Sequence, residues 1–191
     1  MRDLNQLIIK FDYEKNFKDN DYYVSKSNKH IFDLLFKWPK WEKNFLNISG
    51  EKFSGKTHLI KIFQKKFQGI ILNAETLSNK DLKDIKTYQN IILDNLSEKI
   101  DEELFYSLIN IIEQDNKYLI ANSRLPIVNL NFNLIDLKSR AKIFLLYNIE
   151  KPDEDMMFAL ILKTLSDKQI AIDKKLIDFI IKRINRSYSN I

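Results

Sequence analysis

Gly50-Glu51-Lys52-Phe53-Ser54-Gly55-Lys56-Thr57 is the stretch on which the reading of this sequence turns. It fits the pattern G-x-x-x-x-G-K-[ST]. It lies between a short apolar run, Phe45 to Ile48, and a stretch whose apolar residues Leu59, Ile62, Phe63 and Phe67 recur at helical spacing. A strand that turns through such a loop into a helix presents successive backbone amides and the positive end of the helix dipole to one point, where a phosphate binds. The lysine reaches the β- and γ-phosphate oxygens and the threonine hydroxyl ligates magnesium. From this composition the pattern arises by chance on the order of once in two thousand such chains. Gly50, Glu51, Lys52, Phe53, Ser54, Gly55, Lys56, Thr57 and His58 are therefore the expected binding segment for ADP or ATP with Mg²⁺.

The same rhythm continues downstream. With Phe45 to Ile48, the runs Ile70 to Leu72, Ile91 to Leu93, Tyr118 to Ala121 and Ile143 to Tyr147 predict five strands, separated by helical stretches such as Leu104, Leu108, Ile111 and Ile112. Strands alternating with helices predict an α/β fold, a five-stranded parallel sheet covered by helices. Ile91-Ile92-Leu93-Asp94 is an apolar strand ending in an acid, so Asp94 is expected to join Thr57 in the magnesium shell. Many ATPases follow that acid with a second one that polarises the attacking water. Here Asn95 follows, and an amide cannot accept a proton, so self-catalysed hydrolysis is expected to be slow or absent.

Three segments result. Residues 1–27 are polar and aromatic without helical period and read as an N-terminal arm, and 28–150 hold the nucleotide-binding α/β domain. At the boundary between them, Ser27-Asn28 caps a helix carrying Ile31, Leu34, Leu35 and Trp38 that Pro39 ends. After Glu150 the strands stop. Pro152-Asp153 opens a helix with Met157, Leu160, Ile161 and Leu165 on one face, and Asp173 caps another with Leu176, Ile177, Ile180 and Ile184. Residues 151–191 thus read as a helical lid that is short of a full unit, with no room after it for a DNA-binding helix-turn-helix.

Composition narrows the chemistry. The 191 residues are 45% apolar and contain no Cys and two His, which excludes disulfides, a Cys nucleophile and the usual Cys/His zinc sites. No apolar run approaches the roughly 18 residues of a membrane helix, and Met1 to Lys10 lacks the pattern of a secretory signal, so the cytoplasm is the expected compartment. The net charge is +5, but the 31 basic residues are mostly Lys scattered among 26 acids. They read as a solvated surface, with direct DNA contact weak or absent. Arg is confined to Arg2, Arg124, Arg140, Arg183 and Arg186.

Extended by His58-Leu59, the loop reads Gly-x-x-x-Ser-Gly-Lys-Thr-His-Leu and resembles that of the DnaA-related AAA+ ATPases, and among them the Hda-type proteins that inactivate the replication initiator. Tyr23-Val24-Ser25-Lys26-Ser27-Asn28 resembles the segment before the family's first helix, which packs near the adenine, and this implies that Val24 borders the base. Trp38-Pro39-Lys40-Trp41 resembles a linker of bacterial Hda-like proteins. Ala121-Asn122-Ser123-Arg124-Leu125-Pro126 falls where the family places sensor 1. Asn122 or Ser123 would then read the γ-phosphate, with Ser123 standing where Asp is common. Leu137-Lys138-Ser139-Arg140 resembles the arginine-finger segment, which implies that Arg140 acts on the nucleotide of a neighbouring subunit. Read from the residues alone, Arg140 is a surface salt-bridge residue at a helix end. Sensor 2 falls on Arg186, with Arg183 as the alternative. Phe53 occupies a position that is often small, which predicts a less open loop.

Gln6-Leu7-Ile8-Ile9-Lys10-Phe11 resembles the short motif that docks replication proteins on the DNA polymerase sliding clamp, its β subunit. In an extended peptide Leu7, Ile9 and Phe11 point to one side while Gln6 bonds at the rim; the competing reading is a strand packed on the chain's own core. The resemblance as a whole implies a bacterial, replisome-associated regulator that docks on the clamp and stimulates hydrolysis of DnaA-bound ATP. An autonomous P-loop ATPase of helicase-loader type and a non-catalytic, nucleotide-stabilised adaptor are the alternatives. Homo-oligomerisation through the same face stays open.

Overall fold

Five short runs rich in Ile and Leu, each followed by a helical stretch, cannot close hairpins, so they pair in parallel and are covered on both faces. The computed structural model of the chain describes residues 22–191. The strands are β1 (Phe45–Ser49), β2 (Ile70–Asn73), β3 (Asn90–Leu96), β4 (Tyr118–Ser123) and β5 (Leu145–Asn148). The helices are α1 (Lys29–Leu35), α2 (Lys56–Phe67), α3 (Asn79–Asp84), α4 (Glu102–Gln114), α5 (Ile135–Ala141), α6 (Glu154–Asp167) and α7 (Lys174–Ile181). All strands are parallel, in the order β2-β3-β4-β1-β5. Ser49 pairs with Ser123 and Asn73 with Asp94, so the carboxyl ends of the strands lie level along one edge, the edge at which parallel sheets bind ligands. No helix of the described residues is long and apolar enough to cross a membrane.

Each face of the sheet buries its own cluster. Phe105, Leu108, Ile109 and Ile112 of α4 pack with Ile91, Leu93, Leu119 and Ala121, while Ile31 of α1 and Leu59, Ile60 and Phe63 of α2 pack with Leu46, Ile48, Ile92 and Ile120. A third cluster joins α6 to α7 through Met157, Ile161, Ile177 and Ile181. Met156 and Tyr188 insert into the α1–α2 side of the main core, so the helical tail is packed onto the sheet domain.

Several expected details shift. The face of α4 is rotated, with Phe105 and Ile109 fully buried and Leu104 and Ile111 only flanking them. On α7 Ile181 is buried where Leu176 was expected, and Leu176 is 49% exposed. The last strand starts at Leu145, because Ile143 closes the turn after α5 with a bond from its amide to Arg140 O. Trp38 lies beyond α1 in a turn. Asn28 does not cap α1 through its side chain; Oδ1 accepts from Ser25 N, and Nδ2 donates to Tyr23 O and Tyr22 Oη, so it organises the entering segment instead. Asp153 and Asp173 cap α6 and α7 as expected.

A polar residue inside the apolar β1 run fixes the edge that carries the site. Asn47 is fully buried; its Nδ2 donates to Ala121 O and Ser123 Oγ, each at 2.9 Å, and its Oδ1 accepts from Ile127 N at 2.9 Å. It ties β1, the end of β4 and the segment after it together with every polar atom paired. Asn47→Ala leaves Ile127 N without its partner, strips one bond each from Ala121 O and Ser123 Oγ, and is expected to cost on the order of 1–3 kcal/mol in denaturant unfolding. An unchanged midpoint would contradict this role.

Candidate functional site

The loop between β1 and α2 is built from backbone, as the sequence requires. Gly55 has φ 85° and caps α2, and a Cβ there would stand 3.0 Å from the Tyr22 ring, so only glycine fits both the left-handed backbone and the covering ring. Lys56 Nζ donates to Gly50 O at 2.6 Å, Glu51 O at 2.8 Å and Ser54 Oγ at 3.2 Å. Burial pushes the Lys56 ammonium below the usual lysine range; the carboxylates of Asp94 and Glu51 oppose that shift, and the nearby Arg124 guanidinium adds to it. An anion placed at this loop would relieve both costs. Phe53 also has a left-handed backbone, φ 67°, but its ring is 66% exposed at the mouth, with Lys52 Nζ 4.7 Å from its centre. Phe53 thus lines the cleft from its solvent side.

Across from the loop, β3 breaks register between Leu93 and Leu96. Such a bulge re-aims side chains. Thr57 Oγ1 donates to Asp94 Oδ2 at 3.0 Å, and Asn122 Nδ2 donates to Asp94 Oδ1 at 3.2 Å. Asn95 sits at φ 60°, a conformation that Asn tolerates better than most residues, and its amide donates to Asp94 Oδ1. Both sensor 1 candidates line the cleft, but their hydrogen bonds differ. Ser123 Oγ accepts from Asn47 and donates to Leu125 O at 2.6 Å, so its hydroxyl is engaged within the fold, whereas Asn122 reaches Asp94 and keeps a buried Oδ1 with no partner among the described residues. A carbonyl oxygen accepts, so this atom suits a water or another donor rather than a phosphate oxygen.

These groups share a cleft of about 740 Å³, lined among others by Lys56, Thr57, Asp94, Asn122, Arg124 and Glu75. The residues fit a nucleotide and its metal: Lys56 and the loop amides meet phosphate, and Thr57 with Asp94 would hold magnesium. Among the described residues no cluster of three or more His, Cys, Asp or Glu offers a metal site of its own, so remaining ligands would come from phosphate and water oxygens. His58 lines the same cleft and meets the Tyr22 ring edge-on at 5.6 Å. Arg124 and Glu75 line the cleft without having been assigned to it from the sequence; only the strand register puts them there.

Other expected site residues stand elsewhere. Glu51 turns away from the cleft: its carboxylate accepts from Tyr188 N at 2.7 Å and Ser187 Oγ at 3.0 Å, bolting the segment after α7 to the phosphate loop. Arg186 pairs with Glu154, and the Arg183 guanidinium lies 3.5 Å over the Phe179 ring; neither lines the cleft, because Ser187 and Tyr188 turn the chain into the core just beyond them. Val24 is 36% exposed and also outside the cleft, where Tyr22 takes the place next to the loop. Arg140, on the last turn of α5, pairs with Glu113 on α4, away from the cleft. Gln6, Leu7, Ile9 and Phe11 lie outside the described residues.

Comparison with known proteins agrees with this architecture. No family model matches the chain. It is 25% identical over 206 residues to the chromosomal replication initiator protein DnaA of Borrelia duttonii, an alignment covering 93% of this chain and 42% of the relative. The chain thus spans less than half the length of the curated relatives it matches. Domain III of the Thermotoga maritima replication initiation protein DnaA superposes with a TM-score of 0.69 at 17% identity, covering 88% of this chain and 81% of that one. AMPPCP-bound DnaA from Aquifex aeolicus gives 0.68 at 19% identity over 87% and 60%, and a structure of DnaI gives 0.55 at 14% identity over 69% and 86%. The fold is the one seen in these DnaA structures, a five-stranded parallel sheet with helices on both faces.

Tyr22 and Tyr188 carry a pH-dependent part of the stability. Burial raises both phenols above the usual tyrosine range; the bonds from Asn28 and Ser27 offset it in part, and neighbouring acids add to it for Tyr188. A raised folded pKa means that this contribution is complete below the unfolded value of about 10 and is lost as pH climbs through the folded one. Between about pH 9 and 11, the unfolding midpoint of the wild type is expected to fall more steeply than that of a Tyr22→Phe, Tyr188→Phe variant. Equal slopes would contradict the burial argument.

Proposed function

We propose that this chain is a nucleotide-binding AAA+ regulator of replication initiation that docks on the sliding clamp and stimulates hydrolysis of ATP held by the DnaA initiator. The observation that carries the reading is a division of labour. Lys56, Thr57, Asp94 and Asn122 converge on one cleft, while Arg140 stands outside it on the end of α5, paired with Glu113, so a nucleotide met by its guanidinium would be one held by another chain. An exposed ion pair such as Arg140–Glu113 holds with at most about 1 kcal/mol, little enough for a phosphate to displace the carboxylate. The similarity to DnaA over most of the chain supports a partner of the same fold.

In this reading the loop amides and Lys56 grip the phosphates of bound ADP or ATP, and Thr57 and Asp94 hold the magnesium ion, whose charge neutralises phosphate oxygens. Asn95 leaves the chain's own site without the usual second acid. Arg140 neutralises charge that develops on the initiator's γ-phosphate in the transition state. Residues 1–27 serve as the docking arm through Gln6, Leu7, Ile9 and Phe11, 28–150 hold the nucleotide, and 151–191 form the lid, in a cytoplasmic protein working beside the replisome.

A second reading, an autonomous ATPase of helicase-loader type, is favoured by Glu75. This exposed carboxylate lies two residues beyond Asn73, the partner of Asp94 across β2 and β3, and borders the same cleft, where it could take the proton that Asn95 cannot. Single-turnover hydrolysis of labelled ATP on the cognate initiator, with DNA-loaded clamp, separates the readings. The wild type is expected to accelerate it by about 10²-fold or more and Arg140→Ala to abolish the effect, with the variant's own nucleotide affinity intact. Retained stimulation by Arg140→Ala, or none by the wild type, would overturn the assignment.

A further inference from the structure

Among the described arginines, three have partners that account for them. Arg140 pairs with Glu113, Arg186 with Glu154, and Arg183 stacks on Phe179 while donating to Phe179 O. Arg124 is different. Its side chain makes no ion pair or hydrogen bond with a described residue, yet it lines the cleft beside Lys56, Asp94 and Asn122.

The backbone that carries it is fixed on every side. Arg124 O accepts from Gly50 N, the first residue of the phosphate loop, at 3.3 Å. The preceding Ser123 is held by Asn47 and bonds over to Leu125 O, and Ile127 N is anchored on Asn47 Oδ1. The backbone at the base of this side chain is thus held against the loop, while its guanidinium is uncommitted among the described residues. Charge points the same way. Two cations, Lys56 and Arg124, face a cleft in which Asp94 divides its carboxylate between Thr57 and Asn122. Like charges lining one cleft repel. A polyanion removes that repulsion. The loop amides and Lys56 serve the β-phosphate in a diphosphate and a triphosphate alike, so the additional fork at the end of β4, two residues beyond Asn122, belongs to whatever lies past it.

We propose that Arg124 grips the terminal phosphate of a nucleoside triphosphate bound in its own cleft, and that it thereby sets a preference for triphosphate over diphosphate. This rests on the reading of the cleft as a nucleotide site. It also defines a working ligand: the triphosphate form is the one that neutralises both cations.

The test is a pair of dissociation constants, for ADP and for the non-hydrolysable triphosphate AMPPCP, each with Mg²⁺, measured on the full chain and on Arg124→Ala. The wild type is expected to favour AMPPCP by about tenfold or more, and Arg124→Ala to bring the two constants within about twofold by weakening AMPPCP alone. Unchanged ADP affinity in the variant doubles as the check that it is folded. Equal weakening of both ligands, or of neither, overturns the proposal, as does a wild type that binds both equally. A wild type that binds neither overturns the nucleotide site itself, and the proposal with it.

Discussion

An ammonium group held by the backbone of its own loop is the interaction on which this structure depends. Lys56 Nζ bonds two carbonyls and one hydroxyl between β1 and α2, and the loop it closes exists because the carboxyl ends of β1, β3 and β4 are level. Parallel pairing makes them level, and the periodic alternation of apolar runs with helices makes the pairing parallel. Asn47 then locks the end of β4 to β1, so that Asn122 and Arg124 arrive beside the loop as a consequence of register. Lys56 bears the cost of burial in this arrangement, and an anion is the natural relief.

The loop is also a junction. Its Glu51 carboxylate holds Ser187 and Tyr188, Tyr188 reaches Ser27, and Ser27 N donates to Asp153, the residue that caps α6. On the other side Tyr22 covers Gly55 and touches His58. The segment entering the fold and the segment after α7 therefore both rest on the phosphate loop, and a change in the loop's backbone has direct contacts through which to reach either. Coupling of this kind needs no long pathway, because the hydrogen bonds are to the loop itself.

Much of this was legible in the sequence. The parallel sheet, the phosphate loop and the acid at the end of β3 follow from short-range patterns, because apolar periodicity and the G-x-x-x-x-G-K-[ST] spacing are local properties. What escaped depends on neighbours distant in sequence. Asn122 and Ser123 both line the cleft, and which of them is tied to Asp94 is decided by distant partners, since Asn47 and Leu125 claim the Ser123 hydroxyl. Asn47 itself is hidden in an apolar run. Asn95 reads as a missing acid, and the structure adds a second reason for the amide, the left-handed turn that follows Asp94. Arg186 and Arg183 were expected near the phosphates, but the descent of Tyr188 into the core leaves them on the outer side with Glu154 and Phe179. The rotated face of α4 reflects packing on a twisted sheet, which a helical wheel does not contain.

Everything argued about the cleft rests on Lys56 meeting phosphate. Calorimetric titration of the full chain with Mg²⁺–ATP, beside Lys56→Ala, addresses that most directly. The account predicts saturable one-to-one binding by the wild type that weakens by about a hundredfold or more in the variant, the loss expected of a buried charge-assisted contact. Binding of equal strength by both proteins, or by neither, would contradict it.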